Sequence, residues 1–186
     1  VTAPLILTAA FDAETQAWLE SLRRAHFPPE RNFIPAHLTL FHALPGQEHE
    51  TIVAAVAEAC RGGVPTAATI GPSRFTGRGV ALAVEAPGLA VLRRDLAARF
   101  APHLTPQDRQ GCRPHVTVQN KVEPEVARAL QARLAAEITP RPARVTALQL
   151  WWYRAGPWEA AGEFEVYGGS APVPPPGSQG LPGPLP

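Results

Sequence analysis

A four-residue pattern of histidine, aliphatic residue, threonine and aliphatic residue occurs twice in the chain, as "HLTL" over 37–40 and "HVTV" over 115–118. Alternation of this kind has a period of two, so each copy reads as a strand. Successive side chains on a strand point to opposite faces. Leu38, Leu40, Val116 and Val118 therefore claim a core, with His42 and Leu44 continuing that side of the first strand. The other face presents His37 with Thr39 and Phe41, and His115 with Thr117 and Gln119. Within each copy the histidine and threonine Cα atoms stand about 7 Å apart. Laid side by side, two such strands line one cleft with two imidazoles and two hydroxyls.

The rest of the chain supplies a matching set of elements. "APLILTAAF" reads as a buried strand, and Asp12 as the cap of a helix carrying Thr15, Trp18, Leu19, Leu22 and Ala25, closed by Pro28 and Pro29. "HETIVAAVAEACRGG" is a second helix, and "TAATIGPSRFTG" and "GVALAVEA" are strands joined near Gly77–Gly79. Leu89, Leu92, Leu96 and Phe100 form the stripe of a third helix, and "APHLTPQDRQGC" reads as a loop. The strand "RPHVTVQNKV" precedes a fourth long helix bearing Val126, Leu130, Leu134 and Ile138, and "ARVTALQLWWYRAG" with "EAAGEFEVYG" makes a hairpin around Gly156 and Pro157. Strands and helices alternate too loosely for a doubly wound parallel sheet, and no Gly-rich nucleotide loop follows a strand. An α+β domain of two similar halves over residues 1–167 fits, followed at 168–186 by a disordered Pro/Gly-rich tail.

A length of 186 residues with 45% hydrophobic residues suffices for one sizeable core. The net charge of +1 carries no electrostatic footprint for duplex DNA or for an anionic membrane. Cys60 and Cys112 belong to no Cys-x-x-Cys pair, which argues against a disulfide framework or a zinc knuckle and suits a reducing cytoplasm. The first residues lack the basic leader of a signal peptide, and no segment is long and apolar enough to span a bilayer. Monomer is the simplest expectation.

Two imidazoles and two hydroxyls suit phosphoryl chemistry. Cleaving a phosphodiester without metal needs one group to take a proton from the attacking oxygen and another to give one to the leaving oxygen. Histidine, with an ordinary pKa of about 6.5, allows one neutral and one charged copy near neutral pH. Threonine hydroxyls donate to the nonbridging oxygens, where transition-state charge spreads. Neither motif contains Asp or Glu, so no metal and no cofactor is expected.

At "PAHLTLFHALPG" and "PHVTVQNKV" the sequence resembles the two-histidine phosphoesterase superfamily, and within it the bacterial 2′-5′ RNA ligase-like branch. The resemblance implies a bilobal, pseudo-symmetric fold: each lobe an antiparallel sheet with helices on its outer face, and a central cleft between lobes. It implies opening of 2′,3′-cyclic phosphates, or of related cyclic or 2′-5′ phosphodiesters, of RNA ends or small nucleotides, with the reverse 2′-5′ ligation also accessible. Carried over by position, His37 and His115 form the acid-base pair and Thr39 and Thr117 bind phosphate. The family's usual assignment makes the second-motif histidine the base. The alternative is a non-catalytic module holding a nucleotide or RNA terminus in the same cleft.

Around the motifs, Phe41 is a candidate for stacking on a base and Arg113 for approaching a phosphate. Lys121, the only lysine, is at best a rim residue. Arg74 and Arg78 flank a turn that could guard the cleft mouth. Most of the cluster Trp151, Trp152, Tyr153 and Trp158 reads as core, and His26, His42, His49 and His103 are assigned no catalytic role.

Overall fold

A computed structural model of the chain describes residues 2–63 and 66–166; the expected tail at 168–186 lies outside them. The described residues form seven strands: β1 (Leu5–Phe11), β2 (Leu38–Leu44), β3 (Ala67–Phe75), β4 (Val80–Glu85), β5 (His115–Gln119), β6 (Arg141–Trp152) and β7 (Glu159–Glu165). The helices are α1 (Ala13–His26), α2 (His49–Arg61), α3 (Pro87–Arg99), α4 (Pro106–Arg109) and α5 (Pro124–Glu137). Among the described residues no helix is long and apolar enough to cross a membrane.

The local signals that start the helices act as the sequence suggests. Asp12 accepts from the Thr15 amide at 3.0 Å and hydroxyl at 2.9 Å, capping α1. Prolines open α3 and α5 in their first turns, where a missing N–H costs nothing. The segment read as a loop, 101–112, contains a short helical turn: Thr105 caps α4, accepting from the Asp108 amide at 3.2 Å. Its Thr-Pro start is a helix signal that turn-forming neighbours hide.

All strand pairings are antiparallel, in the order β1-β2-β5-β4-β3-β6-β7, and an added β1–β6 pairing closes the first six into a ring. The α+β class with antiparallel strands and separate helices is therefore as expected. One long strand makes the closure possible: β6 pairs β3 through Arg141–Arg144 and β1 through Val145–Trp152. Opposite it, β2 and β5 meet through the single pair Leu38↔Val116. Helix α1 packs on β5 and β1, α5 on β3 and β4, and α2 on β7 and α3. Between these layers Leu5, Leu7, Leu19, Leu38, Leu44, Leu82, Val116, Val118 and Leu148 are completely buried.

Two irregularities redirect side chains next to the repeated motifs. On β2, Thr8 and Leu7 of β1 face Thr39 and Phe41, so Leu40 is an extra residue and the parity of the strand reverses. On β5, Ala81 and Val80 of β4 face Thr117 and Gln119, with Val118 extra. Gly79 allows this close approach, because a Cβ there would collide with the Gln119 carbonyl. Both bulges fall just after the threonine.

The reversals correct three expectations. Phe41 is 0% exposed, packed edge-on against Phe100 at 5.9 Å between centroids and under the Arg93 guanidinium, and it cannot stack on a base. Gln119 is buried rather than facing the open side. His42, assigned above to the aliphatic side, is exposed.

Candidate active site

The β2–β5 register sets the arrangement of the four motif residues. Stepping one residue either way from Leu38↔Val116 places His37 across from Thr117 and Thr39 across from His115. Each histidine thus stands opposite the other motif's threonine, and the two imidazoles occupy one diagonal of a four-residue patch. Residues directly across an antiparallel pair have Cβ atoms about 5 Å apart. All four are half-buried, while Leu38 and Val116 behind them are fully enclosed.

Each imidazole is fixed by its own lead-in. His37 Nδ1 lies 2.7 Å from the Pro35 carbonyl, and His115 Nδ1 lies 2.8 Å from the Arg113 carbonyl, each two residues upstream. A carbonyl can only accept, so both Nδ1 atoms carry the hydrogen and both Nε2 atoms are left to exchange protons with a ligand.

The lead-ins are themselves anchored, by different elements. On the first motif, Gln16 and Glu20 of α1 take both backbone groups of Ala36: Gln16 Nε2 donates to its carbonyl at 2.7 Å, and its amide donates to Glu20. One turn on, the buried Arg23 donates to the Thr117 carbonyl at 2.8 Å, to Ile34 O at 3.2 Å and twice to Asn32 Oδ1. One guanidinium from α1 therefore ties the second motif to the approach of the first. On the second motif, the Val84 amide of β4 holds Pro114 O at 3.0 Å and Arg74 holds Arg113 O at 3.1 Å. Arg93 of α3 donates to Leu40 O at 3.0 Å and to Asp108 O at 2.8 Å.

The surroundings push both imidazoles toward the neutral form. Burial, followed by the Arg23 and His115 charges, outweighs the Pro35 hydrogen bond and the Glu20 carboxylate and brings the His37 pKa to about 4. The Trp158 ring, tilted against the His37 ring at 4.9 Å between centroids, supplies part of that cover. His115 is lowered as well, by burial first and then by the Arg74 and His42 charges.

A cleft of about 860 Å³ opens beside this patch. Thr39 and His115 line it, with Arg113, Arg74, Cys112 and His42. His37 and Thr117, the other two residues of the patch, do not line that cleft. Arg78 turns away to Val122 O and Glu123, and Lys121 is exposed with φ of +61° in a turn after β5; neither reaches the cleft. His26, His49 and His103 are not part of it.

Sequence reasoning missed the support beneath His42. Asp108, 1% exposed, accepts from the His42 amide at 2.9 Å, the Ala43 amide at 3.0 Å and His42 Nδ1 at 3.0 Å. Burial pushes its carboxyl up, but the hydrogen bonds from His42 and Ala43 and the His42 charge outweigh it and hold the pKa below the usual value. The only sequence signal was the Thr105 cap spacing. Among the described residues no group of three or more His, Cys, Asp or Glu is placed to hold a metal ion.

Residues 11–157 match the family described as the 2′-5′ RNA ligase superfamily. Among solved structures, TT0787 of Thermus thermophilus superposes with a TM-score of 0.63 at 18% identity, covering 89% of this chain and 98% of that one. Escherichia coli LigT complexed with NADP⁺ gives 0.58 at 19% identity over 89% of this chain and 98% of LigT. The same protein complexed with 3′-AMP gives 0.56 at 20% identity over 90% and 99%. No curated protein sequence matches the chain.

Proposed function

The chain belongs to the 2′-5′ RNA ligase superfamily, and from that membership we propose that it is a metal-independent phosphodiesterase that opens 2′,3′-cyclic phosphates of RNA ends or nucleotides. The observation that carries the reading is the crosswise pairing of the motifs, with each histidine opposite the other's threonine and each Nδ1 tied to its own lead-in carbonyl. A phosphate centred on this patch meets two Nε2 atoms on one diagonal and two hydroxyls on the other. That LigT has been crystallised with 3′-AMP and with NADP⁺ supports a nucleotide-bearing substrate.

In the reaction, one Nε2 accepts a proton from water as its oxygen bonds to phosphorus, and the other donates a proton to the departing ribose oxygen. Thr39 and Thr117 donate hydrogen bonds to the nonbridging oxygens as their charge grows. The more depressed His37 loses its proton first as pH rises, so the singly protonated site holds it on His115. We therefore assign His37 as base and His115 as acid in this direction, the reverse of the family's usual roles. With a ribose 5′-hydroxyl in place of water, the same two proton transfers open the cyclic phosphate onto that hydroxyl and release the 3′-oxygen, which is the 2′-5′ ligation.

The test is turnover of a nucleoside 2′,3′-cyclic phosphate by the purified protein. His37→Ala and His115→Ala should each lower kcat by about 10²–10⁴-fold, and EDTA should leave the rate unchanged. Because the base must be neutral and the acid protonated, kcat/KM should rise through about 4 and fall through the lowered His115 pKa, below its ordinary value of 6.5. Tight binding without turnover would establish the binding-module reading instead. Loss of activity on chelation, restored by zinc or magnesium, would overturn the metal-free mechanism.

A further inference from the structure

His42 is out of place for a residue on the aliphatic side of its strand. The bulge at Leu40 turns its side chain, 48% exposed, into the cleft that Thr39 and His115 also line. Beneath it lies a carboxylate, Asp108, buried to 1% exposure and committed to the His42 and Ala43 amides and the His42 ring. Bracing the bulge amides would explain the carboxylate alone. It would not explain an imidazole hydrogen-bonded to it through Nδ1 with its Nε2 edge free, an arrangement in which the imidazolium form offers a bound anion an Nε2–H donor with its countercharge behind it.

The neighbouring cleft walls have the same character. Arg74 makes a single hydrogen bond, to the Arg113 carbonyl, and Arg113 itself is exposed; among the described residues neither guanidinium has a carboxylate partner. Asp108 is the only acidic residue of the lining, and its charge is already satisfied. A cleft of about 860 Å³ is larger than one cyclic phosphate requires, and its free cations lie on the His115 side. Aromatic cover lies on the other side, where Trp158 meets His37 at 4.9 Å.

We propose that His42, Arg74 and Arg113 form a second anion subsite beside His115 that binds a further phosphate of the substrate, so that the protein selects substrates carrying that phosphate over lone nucleoside cyclic phosphates. This deepens the phosphodiesterase reading and rests on it for the position of the first phosphate. The second phosphate is either the internucleotide diester one residue upstream or a 5′-phosphate on the terminal nucleotide itself. Both present anionic oxygens to a bidentate guanidinium and a single imidazole N–H.

Three substrates separate these cases: uridine 2′,3′-cyclic phosphate, its 5′-phosphorylated form, and a uridine dinucleotide ending in the cyclic phosphate. The native protein should favour at least one phosphate-bearing form in kcat/KM by about tenfold or more, chiefly through KM. His42→Gln and Arg74→Ala should each shrink that ratio toward one. Which form is favoured tells the internucleotide source from the 5′-phosphate. A native ratio near one, or a ratio that both variants leave intact, overturns the subsite. Binding of the corresponding products, uridine 2′-phosphate, its 5′-phosphorylated form and the dinucleotide with a terminal 2′-phosphate, is measured in parallel by calorimetry. If no substrate is turned over, the phosphodiesterase reading fails, and the same affinity ratio still decides the subsite.

Discussion

The two motifs are near-copies in sequence and stand in different surroundings. The first is gripped by a helix: Gln16, Glu20 and Arg23 of α1 secure residues 32–36, and Trp158 covers the imidazole. The second is gripped at its lead-in by strand β4 and by Arg74, with Arg23 of α1 reaching only its Thr117 carbonyl, and its imidazole faces an open, cationic cleft. Identical chemistry is thereby given unequal proton affinity, with His37 at about 4 and His115 lowered beside Arg74 and His42. The acid and base roles proposed for them require such a difference, and it comes from the neighbours rather than from the residue type.

The anchors allow the comparison to be broken. Replacing Arg23 by Met leaves the Thr117 and Ile34 carbonyls and Asn32 Oδ1 without their donor in a buried place, at a cost of about 2–4 kcal/mol, or roughly 5–15 °C in Tm. Arg93→Met frees only two carbonyls, those of Leu40 and Asp108, and should cost about half as much. Thermal unfolding of the two variants tests this. Equal losses would mean that the buried Arg23 is no stronger an anchor than Arg93.

A smaller effect sharpens the comparison. Trp158→Ala exposes the His37 ring to water, which relieves the desolvation that holds its pKa down. The pKa should climb from about 4 toward its ordinary 6.5, moving the rising limb of the kcat/KM profile to higher pH while the falling limb stays with His115. A rising limb that does not move would remove Trp158 from the account of the asymmetry.

Much of this site was legible in the sequence because alternation is a local property. "HLTL" and "HVTV" dictated which side chains were buried, and the structure encloses Leu38, Leu40, Val116 and Val118 while leaving His37, Thr39, His115 and Thr117 half-exposed. Legibility ended at the bulges. One extra residue after each threonine inverts the parity, so Phe41 and Gln119 were expected on the open face and His42 on the closed one, the opposite of what occurs. A bulge is fixed by the partner strand, and His42 beyond it by Asp108, 66 residues away, and neither leaves a mark in the motif itself. Arg23 was hidden for a similar reason, because a buried arginine looks like a surface one until its acceptors are known.

The central claim is that both imidazoles act on one phosphorus, and a crystal structure of the protein with uridine 2′-phosphate tests it most directly. The account predicts His37 Nε2 and His115 Nε2 each within about 3 Å of oxygens on the same phosphate, with the Thr39 and Thr117 hydroxyls on its remaining oxygens. A phosphate held by one imidazole while the other points elsewhere would contradict it.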